Sequence, residues 1–151
     1  MNRLDRCHRW NTVREETVQV LLIEDDALLR MTLSDTLSAD GIEVNGLANA
    51  EDALILLSAG QIPDVLVTDI SLGDGLSGFD LAEMARSRYP EVEVILISGT
   101  VPDAKTHPLQ RRERFLAKPF DPATLAAAIR EAGLKATDDA PGRQPDPEAW
   151  R

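Results

Sequence analysis

Val18-Gln19-Val20-Leu21-Leu22-Ile23-Glu24-Asp25-Asp26 joins an almost unbroken aliphatic run directly to three acids. Such a run reads as a strand covered on both faces, the kind found in parallel sheets. The same junction occurs twice more, where Val65-Leu66-Val67-Thr68 stops at Asp69 and where Phe115-Leu116-Ala117 stops at Lys118-Pro119-Phe120. Strands of an open parallel sheet all point one way, so groups at their carboxyl ends meet in the crevice where such folds bind ligands. Acids and one lysine are thereby predicted to share a pocket. Carboxylates crowded together repel unless a cation sits among them, and an all-oxygen donor set favours Mg²⁺. The chemistry this predicts is a magnesium-dependent site that handles phosphate.

Strand and helix signals alternate strictly from Val18 onward, the pattern of a doubly wound parallel sheet. Asp26 is placed to cap a helix that carries Leu29, Leu33 and Leu37 on one face and ends at Asp40-Gly41. Ile42 to Leu47 is a more polar strand suited to an edge, and Ala50 to Ser58 a helix with Ala53, Leu54 and Leu57 inward. Gly60 and Pro63 break the chain before the central strand that ends at Asp69. Gly73 to Gly78 reads as a loop, Phe79 to Arg88 as a helix closed before Pro90, and Val92 to Ile97 as a fourth strand stopping at Ser98-Gly99. After the short fifth strand, Asp121-Pro122 starts a helix predicted to run to about Ala132 and to close at Gly133. Three regions follow: a flexible extension over 1–16, a folded domain over 17–134 and a disordered acidic tail over 135–151, rich in Asp and Pro.

The 151 residues suit one domain, which at this size buries roughly 70% of its unfolded surface. A net charge of -10 argues against general affinity for nucleic acid or an anionic membrane. The cluster Arg111, Arg112 and Arg114 has no interleaved aromatic residue and reads as a solvated helix face. Cys7 stands alone and, beside His8, makes no metal-ligand spacing. The first 16 residues lack the apolar core of a secretory signal, and no run is long enough to span a bilayer, so the expected compartment is the cytoplasm.

An isolated aspartate at a strand end is more often a turn or cap residue than a reactive group. Asp69 differs by its company, because Glu24 and Asp25 end a second strand and Lys118 ends a third. A carboxylate oxygen can attack a phosphoryl group directly, and that transfer needs mainly positioning and charge neutralisation. Mg²⁺ and Lys118 would neutralise. Asp25 and Asp69 are the candidate direct ligands, Glu24 the holder of a metal-bound water, and the Ser71 carbonyl the remaining protein donor. Ser98 offers a hydroxyl to phosphoryl oxygens, and Gly99 leaves backbone space beside it. Pro119 fixes a turn that aims Lys118 inward; the dipeptide alone does not specify a cis bond, since only about 5% of X-Pro bonds are cis.

Taken together, Glu24-Asp25, Asp69, Ser98, Phe115 and Lys118-Pro119-Phe120 resemble, in order and placement, the receiver domain of two-component response regulators over residues 17–134. The resemblance implies an α/β, flavodoxin-like five-stranded parallel sheet of order 2-1-3-4-5 with helices on both faces. It implies that Asp69 accepts phosphate from a sensor histidine kinase or a histidine phosphotransfer protein, with Mg²⁺ held by Asp25, Asp69 and the Ser71 carbonyl. Ser98 and Phe115 would form the switch pair whose movement a downstream protein target reads. Such a domain is a phosphoacceptor rather than an enzyme, with at most slow self-dephosphorylation. With no DNA-binding module in the sequence, signalling is expected through protein contact, to a target or within a homodimer.

One stretch departs from the family pattern. Between Ser98 and Phe115, Pro102 and Pro108 bracket Asp103 to His107, where the family has an amphipathic fourth helix. His107 reads as an exposed loop residue. Two other functions compete. An aspartyl-nucleophile phosphohydrolase of the haloacid dehalogenase kind wants a second aspartate two residues after the nucleophile, where this chain has Ser71. A scaffold that works without phosphorylation would not need the full set of acids, hydroxyl and lysine.

Overall fold

The computed structural model describes residues 17–138; the expectations for the N-terminal extension, including Cys7 and His8, and for the tail from residue 139 lie outside these. Five strands form one parallel sheet: β1 (Gln19–Ile23), β2 (Glu43–Leu47), β3 (Val65–Asp69), β4 (Glu93–Ser98) and β5 (Glu113–Ala117), in the order β2-β1-β3-β4-β5. Four helices connect or follow them: α1 (Ala27–Ala39), α2 (Ala50–Ser58), α3 (Gly78–Arg88) and α4 (Pro122–Asp138). The order is the one the resemblance implies.

Side chains alternate across each strand, and the core is therefore two layers. Leu21, Ile23, Leu66, Val94 and Leu96 pack with Ala53, Leu57, Leu81 and Ala85 of α2 and α3. Val20, Leu22, Val65, Val67, Ile95 and Ile97 pack on the other face with Leu33 and Leu37 of α1 and Leu125 and Ile129 of α4. Each such aliphatic side chain contributes about 1.5–3 kcal/mol by leaving water. Helix starts follow local chemistry. Asp26 accepts the Leu28 and Leu29 N–H groups, Asn49 accepts that of Asp52, and Ser77 and Asp80 form a reciprocal capping box.

Three sequence expectations are corrected. Gly133 does not close the last helix, which continues to Asp138. A Cβ at Gly133 would lie 2.9 Å from a Val18 methyl, so the glycine serves close packing of α4 on the chain entering β1. Gly78 belongs to α3 and not to the preceding loop. The arginine cluster is no helix face: Arg112 has a φ of 64° in the turn before β5, and Arg114 lies in β5 itself. Arg112 pairs with Glu93 at 3.2 Å, and Arg114 with Glu131 of α4 at 2.6 Å.

Between β4 and β5 the chain forms no regular helix. Residues 99–112 make a strap with a turn near its middle, in which Thr106 and His107 N–H groups bond to the Asp103 carbonyl. Pro102 and Pro108 account for the missing helix, since each removes a donor and disfavours helical geometry in the residue before it. His107, exposed as expected, nevertheless stacks flat on Phe79 at the start of α3, with ring centroids 3.9 Å apart. Buried acids hold the amino ends of the two strands: Glu93 bonds Arg112, while Glu113 bonds Arg86 of α3 and accepts the Gln110 N–H at 2.9 Å.

Candidate functional site: an acid pocket closed by one lysine

Strand alternation decides which side chains meet. Glu24 continues the parity of Leu22, Asp69 that of Val67, and Lys118 that of Leu116, residues that all face α1 and α4. Lys118 therefore reaches back across β4 to the acids, with its Nζ 2.6 Å from Asp69 Oδ2 and 3.4 Å from Glu24 Oε1. The Lys118 N–H bonds to the Ser98 carbonyl at 2.8 Å, which anchors the end of β5 beside β4.

Glu24 and Asp69 are both buried, whereas Asp25 is exposed. One carboxylate oxygen from each lies within 4.8 Å of those of the other two. Three hard oxygens at that spacing fit a small divalent cation, whose bonds of about 2.0–2.1 Å would draw them together. Glu24 is fixed by the Asp26 N–H on its carboxylate at 3.1 Å and by Arg30 Nη1, which donates to its backbone carbonyl at 2.7 Å. Asp69 Oδ1 accepts the Ser71 N–H at 3.0 Å, which sets residue 71 beside the acid.

Burial pushes the Glu24 carboxyl up to about 7, with the Asp69 charge and the Asp25 side chain adding to the rise and the Asp26 N–H and Lys118 opposing it. For Lys118 burial works against the charge, but the Asp69 and Glu24 carboxylates outweigh it and hold the ammonium above its ordinary range. A proton on Glu24 thus does part of what a cation would do. The folded protein keeps that proton over a window in which the unfolded chain has released it, so this contribution to stability is complete below about pH 4.5 and lost as pH rises through about 7. Urea midpoints of the metal-free protein should fall across that window, and Glu24→Gln should flatten the fall. Equal slopes in the two proteins would contradict the assignment.

Lys118 offsets two buried charges when no metal is bound. Removing one partner of a fully buried pair costs roughly 3–5 kcal/mol. The Lys118 side chain is 27% exposed, and Glu24 can take up a proton, so Lys118→Met should lose only about 2 kcal/mol in metal-free denaturation at neutral pH. Saturating Mg²⁺ should recover most of it. A variant as stable as the parent without metal would show that Lys118 is not the neutralising group.

Of the remaining candidate residues, Ser98 is half-buried one position beyond Ile97, the register partner of Asp69, and its Oγ accepts the Thr100 N–H at 3.0 Å. A Cβ at Gly99 would meet nothing within 4 Å, so the space there is open. Phe115 is half-buried on β5 opposite Leu96, two residues before the level of Ser98. Gly78 reads in the sequence only as the end of a loop, and its contact with the central strand goes unseen there. Its N–H donates to the Ile70 carbonyl at 2.8 Å, and a Cβ there would sit 2.2 Å from the Asp69 carbonyl oxygen. A third glycine in a glycine-rich stretch gives no hint of that contact.

A family profile described as "Response regulator receiver domain" matches residues 20–130. The chain belongs to this family of two-component signalling proteins. It is 35% identical over 118 residues to the response regulator protein FleR of Pseudomonas aeruginosa, covering 77% of this chain and 24% of that one. It is 32% identical over 115 residues to the phyllosphere-induced regulator PhyR of Methylorubrum extorquens, covering 76% and 43%. The chain thus spans about a quarter to under half of these two relatives. A response regulator receiver protein from Sinorhizobium medicae superposes with a TM-score of 0.73 at 28% identity, over 80% of this chain and 98% of that one.

Proposed function

We propose that the protein is a phosphoacceptor that takes a phosphoryl group onto Asp69 from a sensor histidine kinase or a histidine phosphotransfer protein and signals by protein contact. The observation that carries this reading is the Asp69 carboxylate at the end of the central strand, with Lys118 Nζ at 2.6 Å and two further acids beside it. An Asp69 oxygen would attack phosphorus of the donor phosphohistidine; the P–N bond breaks, its electron pair leaves with the imidazole, and an acyl phosphate remains. Mg²⁺ in this pocket would supply positive charge to the phosphoryl oxygens. Asp25, Asp69 and the Ser71 carbonyl are the protein groups suited to hold it, with Glu24 oriented to bind a metal water. Lys118 would pass from Asp69 to a phosphoryl oxygen.

Ser98 would release the Thr100 N–H when its hydroxyl turns toward the phosphoryl group, and the half-buried Phe115 would shift in response. The 99–112 strap, which forms no regular helix, is the segment where such a change would be read by a downstream target or by a second copy of the chain. We place this chemistry in the cytoplasm and in the domain spanning 17–134. Among the described residues no helix is long and apolar enough to cross a membrane. Incubation with Mg²⁺ and acetyl phosphate tests the reading. A mass increase of one phosphoryl group is expected, and an unmodified protein would overturn it.

A further inference from the structure

We infer that Glu51, in the first turn of α2, is a positioning residue for the loop that carries the phosphoacceptor pocket; this rests on the proposed role of Asp69. The loop from residue 70 to residue 77 leaves β3 at Asp69 and must reach the start of α3. It contains Gly73 at φ 75° and Gly75 at φ 89°. Both positions are in the left-handed region, where glycine moves freely and ordering costs most entropy. The base of the loop is tied by the Ser71 N–H on Asp69 Oδ1, and its far end by the Ser77–Asp80 capping box.

Between these ends the tie comes from outside the loop. Glu51 Oε2 accepts the Leu76 N–H at 3.0 Å. The carboxylate also fills the notch left by the missing Gly75 side chain, because a Cβ there would lie 2.6 Å from the same oxygen. On the other shoulder of the loop a Cβ at Gly73 would be 3.5 Å from Asp25 Oδ2. Glu51 therefore holds the loop against the pocket from one side while Asp25 meets it on the other. A charge-assisted bond to a backbone N–H is among the stronger single ties available to such a segment. Residue 71 and the room beside Asp25 are set by the course of this loop, so loosening it should cost metal affinity without touching a ligand.

Acids in a first helical turn also favour the helix dipole, and Asp52 shares that role. The two roles separate by experiment on the full chain. Glu51→Ala should speed amide hydrogen exchange at Leu76 and weaken binding of Mg²⁺ alone, followed by amide chemical shifts, by roughly threefold to tenfold. Glu51→Gln keeps an acceptor oxygen and should restore most of both, while Asp52→Ala should leave both at the parent value. Glu51→Ala matching the parent in exchange and affinity would overturn the inference, as would a glutamine variant no better than alanine or an Asp52→Ala variant equally impaired. Neither readout uses phosphorylation. A parent that binds Mg²⁺ yet takes no phosphoryl group from acetyl phosphate therefore overturns the phosphoacceptor reading separately.

Discussion

Asp69→Asn should abolish phosphorylation by acetyl phosphate while the protein stays folded. An amide oxygen is a poor nucleophile toward phosphorus, so the loss should be complete within the limits of mass spectrometry. The fold should tolerate the change. Asparagine retains the oxygen that accepts the Ser71 N–H, and what disappears is the ion pair with Lys118 Nζ. One of three crowded carboxylates is lost as well, and with it part of what raises the Glu24 pKa. Gains and losses of similar size should leave the melting temperature within a few degrees of the parent. An asparagine variant that labels as well as the parent would move the acceptor role elsewhere, and Asp25, exposed in the same cluster, would be the first place to look.

Gly78→Ala should damage both stability and phosphorylation. The added methyl would lie 2.2 Å from the Asp69 carbonyl oxygen and 2.8 Å from the Ile70 Cα, and both obstacles are backbone. Relief requires the start of α3 to move away from β3 by about an ångström, which strains the Gly78 N–H bond to Ile70 and drags the peptide that carries Asp69. Forcing atoms into packed sites usually costs about 1–3 kcal/mol, and an obstacle made of main chain belongs at or above the top of that range. For a domain of this size roughly 3 kcal/mol corresponds to a fall of about 10 °C in melting temperature. Labelling by acetyl phosphate should slow in the fraction that remains folded. A variant melting with the parent would mean that α3 is free to shift, contrary to the close contact described.

The fold was legible in the sequence because a parallel sheet buries its strands on both faces, and aliphatic runs such as Val65 to Val67 announce that directly. The pocket was legible for a related reason. Charged residues directly after such runs have one place to go, so Glu24, Asp69 and Lys118 could be brought together before any distance was known. What escaped notice depends on partners outside the residue's own element. Gly78 matters through the Asp69 carbonyl, Gly133 through Val18, and Glu51 through Leu76, and none of these contacts leaves a local pattern. Two arginines that resembled solvent-facing charge were ion-paired for the same reason. Loss of a helix between β4 and β5 was foreseeable, since proline acts on its own neighbours; the stacking of His107 on Phe79 was not.

The ion pairs joining Glu93 to Arg112 and Glu113 to Arg86 sit at the opposite end of the sheet from the acid pocket. Five residue steps along β4, from Glu93 to Ser98, separate the two ends by about 17 Å of strand. That is roughly twice the distance over which physiological salt screens exposed charges. A change of charge near Asp25 is thus felt weakly where these pairs hold β4, β5 and α3 together. The fold thus separates the pole that holds the acids from the pole that ties its strands, so recharging the first need not loosen the second.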